Sequence, residues 1–249
     1  MISALRAAGS GLLAQQTALD VISNNLANVN TPGFKRARAN FEDVVIEQDP
    51  DSPATAPAAR GVVVRDIQRI ETSGALETTG LPFDLAIAGA GFFVVTRPDG
   101  TPGYTHDGSF QLTAAGTLVN GNGDTLAGIQ LPPGASSLSV AADGTVIALV
   151  DGEGQPAGQI SIALFPNPAG LQADGGGVFL PTAASGEPNL VAPGTGGAGE
   201  VVAGMREMAN VAIGDEMVAM LIARRAYSAS ARSVQAIDEM LQQANTLNA

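Results

Sequence analysis

Neither cysteine nor tryptophan occurs among the 249 residues, and histidine occurs once, at His106. Without cysteine there are no disulfides and no thiolate metal sites, and one imidazole leaves little material for zinc binding or imidazole catalysis. Most enzyme templates go with them, and neither a cofactor nor a metal is expected. Positive charge is scarce as well: 12 Lys and Arg stand against 24 Asp and Glu, a net charge of −12. That balance opposes docking on nucleic acid or on an anionic leaflet, since both attract basic patches. Long apolar runs are missing too. The longest, Leu85–Val95 with glycine counted as apolar, falls well short of the ~18–20 residues of a spanning helix. Met1–Gly11 shows no basic start followed by an apolar block, so neither direct membrane insertion nor a cleaved signal peptide is expected. What the chain does have is 45% hydrophobic residues and a length suited to one large or two modest domains.

Two periods organise those residues. Leu5, Leu12, Leu19 and Leu26 recur every seven positions, with Ile22 and Val29 on a flanking row, which predicts a helix from Ile2 to about Asn28. The companion row Ile2, Gly9, Gln16 and Ser23 is mostly small or polar, so the apolar stripe is narrow, as in a coiled coil. Gly9 and Gly11 each cost about 1 kcal/mol relative to Ala in a helix interior, so the isolated segment should be marginal. The far end repeats the device. Ile213, Met220, Tyr227, Val234 and Leu241 are spaced by seven, and Met217, Leu221 and Ile237 fill the same face. A helix from about Ala212 to Ala244 would run roughly 50 Å at 1.5 Å per residue. The simplest arrangement is an antiparallel pair made by the chain's own termini, each carrying an apolar ridge that sister copies must bury; two helices packed flat on the rest of the molecule are the alternative.

Between the ends the period changes. The first helix stops in Asn24-Asn25-Leu26-Ala27-Asn28-Val29-Asn30-Thr31-Pro32-Gly33, where Asn favours cap geometry, Pro forbids helical continuation and Gly permits a turn. Glu47–Arg60 is mostly Asp, Pro, Ala, Ser and Thr and reads as an extended, mobile loop. From Gly61 to Ile70 the chain is β-branched and alternating. After Gly80, short apolar runs (Leu85–Val95, Thr117–Val119, Ser137–Val140, Thr145–Val150, Gln159–Phe165) are separated by Asp-Gly turns at residues 99, 107, 143 and 151. Phe92, Phe93, Phe110 and Phe165 are the aromatic core candidates. The expected class is therefore α+β: an antiparallel pair of long terminal helices of coiled-coil type with a central all-β domain. Residues 1–33 and 208–249 form the helical part, 34–75 an extended linker with β character, and 76–207 the all-β domain.

The apparent catalytic signals weaken on inspection. Gly194-Thr195-Gly196-Gly197-Ala198-Gly199 matches G-x-G-x-x-G, but a dinucleotide fingerprint follows a strand and opens a helix; here Ala192-Pro193 precedes and Glu200-Val201-Val202 follows as strand, so a glycine-rich loop is the better reading. The scattered aspartates lack EF-hand spacing and suit hairpin turns instead. His106 and Asp107 are neighbours on one strand and so point to opposite faces, which leaves His106 as a surface residue. Lys35-Arg36-Ala37-Arg38 and Arg224-Arg225 read as subunit contacts or solvated faces. An extracellular β-domain enzyme or carbohydrate binder on a coiled-coil stalk would need a cleft of convergent polar groups, which the sequence does not display.

With these features in hand, the chain resembles the flagellar basal-body rod and hook protein family of bacteria. Gln15-Gln16-Thr17 followed by Val21-Ile22-Ser23-Asn24-Asn25-Leu26-Ala27-Asn28-Val29-Asn30-Thr31-Pro32-Gly33-Phe34-Lys35-Arg36 looks like the family's N-terminal signature. Further agreement lies in Leu85–Phe93, Pro98-Asp99-Gly100, Tyr104–Phe110, Asn210-Val211, Glu216-Met217-Val218 and Arg225-Ala226-Tyr227. Within the family, the length, Phe165–Leu171 and Pro193-Gly194 are most similar to the distal rod members. His106 stands where the family usually has Arg, Arg224 where it has Gln and Ala209 where it has Ser. The stretch between Phe41 and Gly74 looks shorter than in typical distal rod members.

The resemblance implies an axial subunit, not an enzyme, that polymerises helically into the periplasm-spanning rod and transmits torque from motor to hook. A proximal rod or hook subunit is the near alternative. Implied partners are copies of itself, proximal rod proteins, hook protein, the surrounding ring proteins and the flagellar type III export apparatus, which would carry the chain out uncleaved. Self-assembly would rest on Leu5, Leu12, Leu19, Ile22, Leu26, Ile213, Met217, Met220, Leu221, Tyr227, Val234 and Leu241. Heterologous contacts that do not close generate such filaments.

Overall fold

The computed structural model describes residues 2–44 and 61–247. The loop expected at Glu47–Arg60 lies outside these. The chain divides into two compact units, one of residues 1–27, 37–70 and 212–249 and the other of residues 28–36 and 71–211. Residues 37–70, set apart by sequence as part of a linker, thus cluster with the helices.

The first unit contains helix α1 (Ile2–Ala27), a hairpin of strands β1 (Ala37–Asp43) and β2 (Val62–Arg69), and helix α2 (Ile213–Leu247). Two contacts fix the direction of the helix pair. The Asn25 amide reaches the Glu216 carboxylate, and a Cβ added at Gly11 would stand 3.4 Å from Ser230 Oγ. Going from residue 11 to 25 on α1 therefore means going from 230 back to 216 on α2, an antiparallel pair. The hairpin lies along α1. Val62 N donates to Ser10 Oγ at 3.1 Å, and Asn25 and the Ala37 backbone exchange two bonds at 2.8 Å each. Fifteen residues of helix span roughly 22 Å and six steps of strand about 20 Å, so one hairpin matches the stretch from Asn25 back to Ser10.

The second unit is all antiparallel β: β3 (Leu76–Thr78), β4 (Leu85–Ala88), β5 (Phe92–Thr96), β6 (Pro102–Thr105), β7 (Gln111–Leu112), β8 (Leu118–Val119), β9 (Thr125–Leu126), β10 (Ser137–Val140), β11 (Thr145–Val150), β12 (Glu153–Gln159), β13 (Ile162–Leu164), β14 (Gln172–Gly175), β15 (Val178–Leu180), β16 (Asn189–Val191), β17 (Glu200–Ala203) and β18 (Met205–Glu207). Its largest sheet has the order β14-β15-β6-β5-β9-β8-β7, with β13 and β16 branching from β5. β10, β11 and β12 form a separate meander, and β17 pairs with β4 and β18 with β3.

Phe93, Leu85, Ile87, Leu118, Leu126, Ile160 and Ile162 fill the main core. Phe92, Tyr104, Phe165 and Phe179 make a second one, in edge-to-face contacts with centroids 4.9–5.9 Å apart. The run Leu85–Val95 is two strands rather than one. Gly89 and Gly91 adopt φ of +135° and +124°, and a Cβ at Gly91 would stand 2.2 Å from Ile162 Cγ2, so the chain bends where only glycine fits. Three Asp-Gly pairs do sit between paired strands, at residues 99, 143 and 151. The fourth, Asp107-Gly108, instead docks on β4, where Leu85 N donates to Gly108 O at 2.9 Å.

Candidate assembly surface and the buried signature cluster

In the first unit, the seven-residue rows of bulky side chains divide between half-buried and exposed positions, with Ile237 buried. On α1 the buried positions are Ala14, Val21 and Asn25, while Leu12, Leu19, Ile22 and Leu26 are half-buried and Leu5 and Leu13 exposed. On α2 the buried positions are Glu216, Ala223 and Ile237; Met220, Val234 and Leu241 are half-buried, and Ile213, Met217, Leu221 and Tyr227 are exposed. Gly11 stands against Ser230 where the helices meet, the buried apolar positions are Ala14, Val21, Ala223 and Ile237, and a ridge of Met217, Val218, Leu221 and Ile222 is left in water, with Ile222 63% exposed. Val218, Ile222 and Leu13 did not stand out in the sequence, because they lie off the heptad rows. Phe41, Val63 and Ile67 of the hairpin are also exposed. Apolar area of this extent marks an interaction surface.

The signature stretch divides between the units. Asn24 and Ala27 are exposed, Leu26 is half-buried, and Asn25 is 1% exposed, holding α1, β1 and α2 with one amide. In the second unit, Asn28 accepts the Thr31 N–H at 3.0 Å and Thr31 the Phe34 N–H at 3.3 Å, a turn in which Asn28, Pro32 and Phe34 are half-buried. Gly33 is buried with φ +66°, and a Cβ there would stand 2.7 Å from the Asp107 backbone.

Lys35 follows and overturns the expectation of a solvated basic face. Its ammonium donates to Glu207 Oε1 at 2.8 Å and to Thr72 O at 3.2 Å, the ion pair being almost completely buried. Glu207 Oε1 also accepts the Gly74 N–H at 2.7 Å. Asn210 accepts the Arg36 N–H at 2.7 Å and donates to Thr72 O at 2.9 Å. Segments 28–36, 71–74 and 207–210 are thereby laced into one polar clasp, and the buried ion pair is supported by added hydrogen bonds from Lys35 to Thr72 O and from the Gly74 N–H to Glu207.

His106 is buried, not at the surface. Its Nδ1 lies 3.6 Å from Glu207 Oε2 and its Nε2 3.9 Å from Glu71 Oε2, with the ring 4.2 Å from Phe92. Its neighbours are carboxylates from distant segments and an aromatic face, so its place is set by packing among segments far apart in the chain. Asp107 accepts the Ser109 N–H at 2.9 Å; burial first, and the Asp84 carboxylate after it, raise its pKa above the ordinary carboxylate value, against Ser109 and Arg206, which lower it. Among the described residues no group of three or more His, Asp and Glu side chains could hold a metal, and no helix is long and apolar enough to cross a membrane. The glycines at 194–199 form a turn that leads into β17, not into a helix, as no phosphate cradle does.

Family models match three separate stretches of the chain. Residues 5–35 match "Flagella basal body rod protein", 86–148 "Flagellar hook protein FlgE/F/G D1 domain" and 202–247 "Flagellar basal body rod FlgEFG protein C-terminal". The chain is similar to the flagellar basal-body rod protein FlgG of Borreliella burgdorferi, at 40% identity with 99% of each chain covered. It is likewise similar to FlgG of Buchnera aphidicola from Acyrthosiphon pisum, at 38% identity over 99% of this chain and 100% of the relative. The flagellar hook protein FlgE of Treponema pallidum is 42% identical, but over 48% of this chain and 28% of its own length.

Proposed function

The chain belongs to the bacterial flagellar rod and hook protein family, and from that premise we propose that it is a structural subunit of the distal rod, polymerising helically to transmit torque from motor to hook. Whole-length similarity to rod proteins, against a hook likeness confined to half the chain, supports rod over hook. Its action is mechanical, and it works by contact rather than by turnover. The observation that carries assembly is the ridge Met217, Val218, Leu221 and Ile222, bulky apolar surface that the chain's own fold leaves in water and that other copies would cover. Leu5, Leu12, Leu19, Ile22, Leu26, Ile213, Met220, Tyr227, Val234 and Leu241 belong to the same helices and are assigned to the same contacts. The remaining partners are proximal rod proteins, hook protein, the ring proteins around the shaft and the flagellar type III export apparatus, through which the chain leaves uncleaved. In this division of labour residues 1–33 and 208–249 form the helical, tube-lining domain, 34–75 an extended linker and β region and 76–207 the all-β domain.

Electron microscopy of the purified chain at rising concentration tests the reading. Wild type should form filaments and Leu221→Asp should not, because a carboxylate would enter the contact undischarged. In motile cells, gold-labelled antibody should mark isolated basal bodies between the motor and the hook. A chain that stays monomeric at every concentration and is absent from basal bodies would overturn it.

A further inference from the structure

We propose that His106, together with Glu71 and Glu207, forms a proton-operated latch inside the β unit: a proton on the imidazole holds segment 71–74 in place, and its loss lets the segment work loose. The inference concerns one copy and holds whether or not the chain forms a rod.

The surroundings of the ring single out its charged form. His106 follows β6 and is 5% exposed. Its Nδ1 faces Glu207 Oε2 at 3.6 Å, and its Nε2 faces Glu71 Oε2 at 3.9 Å. A neutral imidazole has one N–H and one bare lone pair. In either tautomer, one lone pair would therefore point at a carboxylate oxygen where little water can intervene. The imidazolium has an N–H on each nitrogen and turns positive charge toward both carboxylates. Phe92, from β5, has its ring centroid 4.2 Å from that of the imidazole, within the range at which an aromatic ring attracts a cation. Against these stand burial and the Lys35 ammonium, which meets the other Glu207 oxygen, Oε1, at 2.8 Å. Of the charged residues adjacent in sequence, Asp107 accepts from the Ser109 N–H and Arg206 reaches toward Glu77.

The latch has one movable side. Glu207 is held at Oε1 by Lys35 and by the Gly74 N–H, and its side chain is 2% exposed, whereas that of Glu71 is 20% exposed. Glu71 is thus the carboxylate with the shorter way to water. Once the ring has lost its proton, turning Glu71 outward is the readiest relief of the clash between lone pair and carboxylate. Three bonds of the clasp end on the same short segment: Lys35 and Asn210 donate to Thr72 O at 3.2 and 2.9 Å, and Gly74 donates to Glu207 at 2.7 Å. Movement at Glu71 therefore reaches all three. A folded state that binds the proton more tightly than the unfolded chain gains stability that is complete below the ordinary imidazole pKa of about 6.5 and is lost as pH rises through the folded value.

His106 is the only histidine of the chain, so its ring C–H resonances can be followed by NMR in the untagged, full-length monomer from about pH 5.5 to 9. They should titrate at least one unit above the ordinary value of about 6.5, a tenfold or greater tightening of the proton. Across the same midpoint the Gly74 amide should lose about fivefold of its protection against hydrogen exchange, after correction for the intrinsic effect of pH. The Ala127 amide, which donates to Val94 O at 3.0 Å, should not change. Glu71→Gln keeps the shape of the side chain and removes its charge, and should lower the midpoint by at least half a unit, about threefold in proton affinity. If that variant does not fold, the two wild-type readouts decide. A midpoint raised by that unit, with loosening at Gly74 coupled to it, upholds the latch. A midpoint closer to the ordinary value, a Gly74 amide indifferent to the titration, or an unmoved midpoint in Glu71→Gln overturns it.

Discussion

The two units of the chain place their large side chains oppositely. In the β unit Phe93, Leu85, Ile87, Leu118 and Ile162 are inside, and the charges that accompany them, Lys35 and Glu207, are matched to each other. In the helix and hairpin unit the interior consists of Ala14, Val21, Ala223 and Ile237 with the polar Asn25 and Glu216, and Met217, Val218, Leu221, Ile222 and Ile67 are outside. At about 25 cal/mol per Å² of apolar area, a methyl removed from water contributes far less than a leucine or methionine side chain. The β unit thus buries large side chains in its two cores, with Leu81 and Leu190 among those left outside, while the helical unit leaves a contiguous ridge of Met217, Val218, Leu221 and Ile222 exposed.

The sharpest way to break that contrast is to truncate one large residue in each unit. Phe93→Ala should cost about 3–5 kcal/mol in denaturant unfolding followed through the β unit, since Phe93 is fully buried and its removal leaves a cavity. Met217→Ala should stay within about 0.5 kcal/mol of wild type, as exposed positions do. Equal losses would mean that the ridge is already covered in the monomer.

Next in size is the clasp. Lys35→Met should cost about 3 kcal/mol, because it leaves the buried Glu207 carboxylate without its counter-charge. Lys35→Met combined with Glu207→Gln should recover most of the loss, since the amide oxygen can still accept the Gly74 N–H that Glu207 Oε1 now receives. Additive losses in the double variant, read by the same unfolding curves, would show that the pair contributes through shape alone.

The same contrast explains which features were legible in the sequence. Both helices, the all-β body and the turns at residues 99, 143 and 151 follow from local period and turn chemistry, and local rules suffice for them. The inward face of the helix pair was not legible. A heptad of Leu invites the assumption that bulk faces inward, while the Ala and Gly row beside it is read as a weakness of the helix rather than as a close contact. Lys35 with Glu207 and His106 with Glu71 were out of reach for a different reason. Each joins segments far apart in the chain, and a sequence with 24 acids offers no way to choose among the possible partners. The split of Leu85–Val95 had a visible signal in Gly89 and Gly91, but an apolar tally counts glycine as continuing a run.

The smallest expected effect separates buried charge that is matched from buried charge that is not. Lys35 and Glu207 neutralise each other, whereas Asp107 lies in the β unit with its pKa raised, first by burial and then by the Asp84 carboxylate. A carboxyl whose folded-state pKa exceeds its unfolded value binds its proton more tightly in the folded state. Its contribution to stability is complete below the unfolded pKa and is lost as pH climbs through the folded one. Asp107→Asn removes that titration and keeps an oxygen to accept the Ser109 N–H. Relative to wild type, the variant should therefore gain stability as pH rises from acid to neutral and show no gain at the acid end, where Asp107 is protonated in both states. Subtracting unfolding free energies of the two proteins at each pH cancels every other titrating group. A difference that is flat with pH, or that grows toward acid, would place Asp107 among the matched charges after all.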